Sequence, residues 1–144
     1  MKRPVPPTPE QGRLRRDLSV LRGALLTLHK TLLDSERVTY ERTIGPIKSR
    51  NDFLQLLIRD PWFAWLHPLS QLIVALDKAL DEKEPLTTAG ADVLVNQARG
   101  LLVVSEQGEG FSTHYFEALQ RDPDVVLAHA EAKKYLRAHK SPPR

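Results

Sequence analysis

Leucines recur along the first part of the chain at alternating spacings of four and three residues. Because about 3.6 residues complete one turn of an α-helix, this spacing forms an apolar stripe that packs helices at shallow crossing angles. The pattern predicts a first helix from about residue 12 to about 44. Gly45-Pro46 should end it, since glycine accepts a left-handed conformation and proline blocks continuation. The stripe consists of Leu14, Leu18, Leu21, Leu25, Leu28 and Leu32.

Three further helical arms are indicated downstream, together with a short helix from about residue 50. The second arm, from about 61 to 82, contains Pro68 within its apolar stripe, which predicts a kink or short break. The third arm, about 88–104, should be capped by Thr87 or Thr88. The fourth, about 111–139, should be interrupted at Asp122-Pro123, where the aspartate caps and the proline restarts the helix.

No segment alternates apolar and polar residues as a half-buried strand does. The chain is therefore predicted to be all-α, an antiparallel four-helix bundle with kinked or broken second and fourth arms. Residues 1–10, which contain four prolines, should be a disordered arm, residues 11–139 the bundle domain and residues 140–144 a disordered tail.

The composition excludes several classes of functional site but does not identify a function. The 144 residues include no cysteine, which excludes disulfides, thiolate metal sites and cysteine nucleophiles. No segment reaches the roughly 18 apolar residues of a membrane span, and no signal peptide is indicated, so we expect a cytoplasmic protein without membrane contact. The net charge is +3, with basic residues concentrated in 1–16 and 131–144. Basic residues favour the last turn of a helix, and charged tails keep small proteins soluble. These two effects account for the basic ends, so nucleic acid is a disfavoured partner.

Sequence signatures of known catalysis are missing. The chain has no Gly-x-Ser-x-Gly, no phosphate-binding glycine loop and no dinucleotide fingerprint. Its five histidines lack metal-ligand spacing. We therefore expect no metal and no cofactor, and an enzyme is disfavoured.

The most informative feature is a polar layer after Leu32. Continuing the leucine stripe leads to Ser35 and Thr39, with Glu36 and Tyr40 beside them, and His129 falls on the stripe of the fourth arm. Polar groups in a bundle core need hydrogen-bond partners, and ligand sites are built there. These five residues could line a polar pocket. Alternatively, this part of the helix is solvated, or His129 makes a structural hydrogen bond.

Aromatic residues are densest at Trp62, Phe63 and Trp65, which belong either to the core or to an interface. The surrounding Asp60–Ser70 stretch, D-P-W-F-A-W-L-x-P-L-S, resembles small bacterial helical-bundle proteins with no assigned function. This resemblance spans about Leu14 to Leu136. It implies a helical bundle of bacterial origin and transfers no catalytic residue.

Three functions follow from these features, in decreasing order of preference. The first is a non-enzymatic module that acts by protein interaction or self-association, because the long helices carry apolar stripes and catalytic motifs are missing. The second is a small-molecule sensor or carrier that uses the polar pocket. The third is an enzyme of unfamiliar type with Glu36, Tyr40 and His129 as acid–base groups.

Overall fold

The computed structural model describes residues 8–81, 85–107 and 110–138, and the secondary structure within these ranges is entirely helical. The all-α class predicted from the sequence is therefore confirmed for them. The elements are α1 (Pro9–Thr43), α2 (Arg50–Arg59), a 3₁₀ helix (Pro61–Leu66), α3 (His67–Asp81), α4 (Thr88–Leu101), α5 (Phe111–Arg121) and α6 (Pro123–Ala138).

α1 begins earlier than the leucine pattern predicts, at Pro9 rather than near residue 12, and so inside the range assigned to the arm. The side chain of Thr8 accepts a hydrogen bond from the N–H of Gln11 at 3.1 Å. Proline in the first turn costs nothing, since the N–H it lacks would have no helical partner there. At the other end Gly45 follows with a positive φ, as predicted. Residues 1–7 and 139–144, where most of the predicted arm and tail fall, lie outside the described residues.

The leucine stripe of α1 forms the centre of the core. From Leu18 to Leu32 its members are at most 1% exposed, and Leu14 packs against the cluster from its edge. α1 contacts α3 and α6 most extensively. α3 runs antiparallel to α1, because Arg22 pairs with Asp77 while His29, two turns further along α1, meets Ser70, earlier in α3. Shallow packing of neighbouring helices is what the four-three spacing predicts.

The second arm changes helix type just before Pro68. Residues Pro61–Leu66 are 3₁₀-helical, and α-helix starts at His67. The carbonyl of Ala64 accepts from the N–H of His67, three residues on. An α-helical bond would have to come from Pro68, which has no N–H, so the tighter helix is the physical consequence of the proline.

The remaining junctions follow local capping chemistry. Thr87, rather than Thr88, caps α4 by accepting from the N–H of Gly90 at 2.9 Å. α4 ends at Leu101, earlier than the predicted 104. α5 ends at Arg121 and α6 begins at Pro123, with a carboxylate oxygen of Asp122 accepting from the N–H of Asp124 at 2.9 Å.

Candidate functional site

The polar layer of α1 is inside the protein and is closed by an arginine from another helix. Glu36 has a side chain that is 8% exposed. One of its carboxylate oxygens accepts from Arg121, at the end of α5, at 2.9 Å. The other accepts from the indole N–H of Trp62 at 2.9 Å. Both oxygens of the buried anion thus have donors, and Arg121 supplies the neutralising charge that burial demands.

Ser35 and Thr39 belong to the same neighbourhood. The hydroxyl oxygen of Ser35 accepts from Nε of Arg121 at 3.1 Å, and the hydroxyl of Thr39 donates to the carbonyl of Ser35 at 3.2 Å. Both residues line a cleft of about 490 Å³ between α1 and the α5–α6 junction, which we call the Arg121 cleft. Its lining comprises Thr31, Asp34, Ser35, Val38, Thr39, Arg42, Arg121, Asp122 and Asp124.

Tyr40 faces a different space. Its ring lies edge-on to Trp62, with centroids 5.5 Å apart, and packs on Phe63 at 5.6 Å. Tyr40 lines a second cleft of about 720 Å³, which we call the α2 cleft. The α2 cleft is formed by Tyr40, Ile44–Lys48, Asp52, Gln55, Leu56 and Arg59–Pro61. The five predicted residues therefore do not line a single pocket: Ser35 and Thr39 line the Arg121 cleft, and Tyr40 lines the α2 cleft.

His129 joins neither cleft. Its Nδ1 lies 2.5 Å from the hydroxyl of Tyr115, which is fully buried on α5. Burial raises the pKa of Tyr115, so the phenol stays protonated and its O–H can donate a hydrogen bond to Nδ1 of a neutral imidazole. Burial, and secondarily the charge of Lys133, lowers the pKa of His129. His129 therefore does not line either cleft: it makes the structural hydrogen bond that was one of the sequence-based alternatives, and this bond links α5 to α6.

The aromatic group of the 3₁₀ helix divides between core and edge. Phe63 is buried and packs on Phe53 of α2, with ring centroids 5.8 Å apart. Trp65 is buried and stacks on His114 of α5 at 5.3 Å. Trp62 is only partly buried and reaches Glu36 through its N–H. Each ring therefore attaches the 3₁₀ helix to a different neighbouring element.

One pair of chemically reactive type was not predicted from the sequence. Nε2 of His29 lies 2.7 Å from the hydroxyl oxygen of Ser70, across the contact between α1 and α3. Burial lowers the pKa of His29. A catalytic serine needs a histidine that a third group orients, and no described residue hydrogen-bonds the other ring nitrogen of His29. The pair is a partly buried interhelical hydrogen bond.

Arg121 is the functional residue that sequence reasoning missed. Arg121-Asp122-Pro123 repeats the tripeptide Arg59-Asp60-Pro61, and the repeat by itself indicates only helix-start chemistry. The aspartates do cap, but the two arginines differ: Arg121 turns inward to Glu36, while Arg59 lines the α2 cleft. A buried glutamate on a leucine stripe signals that some cation must be near, although it does not say which one.

Within residues 8–81, 85–107 and 110–138, no three histidine, aspartate or glutamate side chains are grouped as metal ligands. None of the helices in these ranges combines the length and the apolar character needed to cross a bilayer. Compared with protein-family models, curated proteins and solved structures, the chain finds no match. The fold thus defines only the broad class, an all-helical protein, and the surface of the molecule is the remaining guide to its function.

Proposed function

We propose that this protein is a non-enzymatic interaction module, an antiparallel helical bundle whose partner-binding surface is formed by α2 and the adjoining α2 cleft. Half of the ten residues of α2 are large and apolar, yet none is fully buried. Leu54 is 51% exposed and Ile58 is 58% exposed. That single observation carries the proposal, because large apolar side chains left exposed on a short helix offer their surface to another molecule.

The attachment of α2 supports this assignment. Phe53, Leu56 and Leu57 pack against the core, Phe53 through the ring of Phe63. The guanidinium of Arg37 lies 4.8 Å from the centre of the Phe53 ring. The most extensive contact of α2 with another element is with the 3₁₀ helix. Leu54 and Ile58 are four residues apart and share an exposed face, so α2 is attached on one side and open to solvent on the other.

The neighbouring cleft extends the apolar surface. Ile44, which is exposed, and Leu56 contribute apolar walls, while Lys48, Arg59 and Asp52 place charges of both signs in the lining. An apolar centre with a polar rim is the usual composition of a protein interface. The hydroxyl of Tyr40 makes no hydrogen bond within the described ranges, so it is available to a partner.

The experiment compares substitutions on α2 with a matched substitution elsewhere. Leu54→Glu combined with Ile58→Glu should abolish self-association in light scattering after size exclusion, or the recovery of a specific cross-linked partner from native extracts. Leu127→Glu is the control, since Leu127 is 66% exposed on α6. A wild-type protein that is strictly monomeric and recovers no partner would count against the proposal. So would equal loss of association in the control.

A further inference from the structure

We propose that the Arg121 cleft binds a small zwitterionic molecule, whose carboxylate meets the two arginines of the cleft and whose ammonium group meets its acidic rim. This site shares no lining residue with the α2 cleft, so it goes beyond the interaction function and does not depend on it.

Arg121 is fixed before any ligand arrives. Its Nε donates to Ser35 and one terminal nitrogen donates to Glu36, whose side chain is almost wholly buried. A guanidinium has five N–H donors in a rigid plane, so several remain after these two bonds. The other terminal nitrogen has no hydrogen-bond partner among the described residues. One third of the side chain is exposed, and it lines the cleft. A donor fork held in this way loses little conformational freedom when it binds an oxyanion.

Arg42 gives the cleft a second guanidinium. It lies two turns along α1 from Ser35 and lines the same space. In the described part of the chain it has neither an ion pair nor a hydrogen bond. Two arginines that face one cleft, one held by hydrogen bonds and one exposed, are suited to a carboxylate, since guanidinium and carboxylate form paired parallel hydrogen bonds.

The acidic residues decide what else the ligand must carry. Asp34 and Asp124 are exposed at the rim, and neither carboxylate has an ion pair with a described residue. Asp122 uses one of its oxygens to cap α6. A simple anion would be repelled by these carboxylates, and a simple cation by the arginines. A molecule with both charges meets an opposite charge at each end, and about 490 Å³ falls inside the usual size range of ligand pockets.

The test is a nitrogen-15 amide titration of the full chain at low salt. The probes are glycine, 4-aminobutanoate and 6-aminohexanoate, which span three charge separations, with hexanoate and hexylammonium as single-charge controls. At least one zwitterion should give saturable shifts confined to residues 34–42 and 121–124, with a Kd about tenfold below that of either single-charge probe.

Substitutions at the rim separate binding from stability. Arg42→Gln should weaken the best zwitterion about fivefold to tenfold without unfolding the protein, since Arg42 is exposed and unpaired within the described ranges. Arg37→Gln is the control, because Arg37 pairs with Glu41 and does not line the cleft. Absence of saturable shifts with all three zwitterions overturns the inference. So does equal binding of a single-charge probe, or unchanged affinity in Arg42→Gln.

Discussion

Removing Arg121 while keeping Glu36 should destabilise the fold far more than removing both. Arg121→Met leaves a carboxylate whose side chain is 8% exposed with the indole N–H of Trp62 as its remaining donor. Breaking a buried pair from one side costs about 3–5 kcal/mol. Because one third of the Arg121 side chain is exposed, water reaches the gap, and the cost should lie at or below the lower end of that range. We expect a loss of about 2–3 kcal/mol, or about 7–10 °C in Tm for a domain of this size.

The double variant shows what the pair contributes. Glu36→Leu combined with Arg121→Met removes both charges, and apolar replacement of a buried pair is often nearly neutral. The loss should therefore be at most half that of Arg121→Met alone, with a favourable coupling between the two sites.

The assay is urea unfolding followed by far-ultraviolet circular dichroism, with Arg22→Met as the control. Arg22 pairs with Asp77 at the surface, where both side chains are more than one third exposed, so its loss should cost less than about 1 kcal/mol. The reasoning is refuted if Arg121→Met costs no more than this control, or if the double variant costs as much as Arg121→Met.

Three other substitutions test the remaining elements. Acid should destabilise the wild type, because burial, and then Lys133, lowers the pKa of His129 below 6.5. Below about pH 6.5 the unfolded chain then binds more protons than the folded one, so the free energy of unfolding decreases as the pH is lowered. Urea titrations at pH 7.5 and 5.5 should show a smaller decrease for His129→Gln than for the wild type. An equal decrease in the two proteins would contradict this. Phe63→Ala should cost about 3–5 kcal/mol in urea and speed amide exchange throughout α2, because Phe53 packs on this ring; unchanged exchange would mean that other contacts hold α2. Thr87→Ala should cost about 1 kcal/mol in a thermal melt while Thr87→Ser costs little, and equal losses would show that the hydroxyl does not cap α4.

Local patterns predicted the helices well because their causes are local. The leucine stripe from Leu18 to Leu32 is buried throughout, since spacing alone determines which face of a helix is apolar. Asp122 and Thr87 cap the helices that follow them, because a cap needs only the N–H groups two or three residues further on. The errors at helix ends are also local: Thr8 caps α1 before the apolar stripe begins.

The candidate site was predicted only on the α1 side. The interrupted stripe correctly located Ser35 and Glu36, because a break in periodicity is visible in one segment. Their partner, Arg121, lies 85 residues from Glu36 in sequence, and no local rule links the two. The register of the last arm suggested His129 instead, yet its imidazole turns to Tyr115 on the preceding helix. Which side chain fills a buried position depends on how the helices dock, and sequence spacing does not determine that.

The buried pair itself needs an explanation other than stability. Leucines continued past Leu32 would give a core at least as stable as one that contains Glu36 and Arg121. An ion pair, however, accepts only one arrangement, whereas leucines pack in several. Glu36 ties α1 to Trp62 on one side and to Arg121 on the other, and these contacts hold the 3₁₀ helix beside the α2 cleft and the end of α5 beside the Arg121 cleft. If the double variant remains stable but loses association through α2, the network serves to position that surface. If association survives, α2 and its cleft are placed by the apolar core alone.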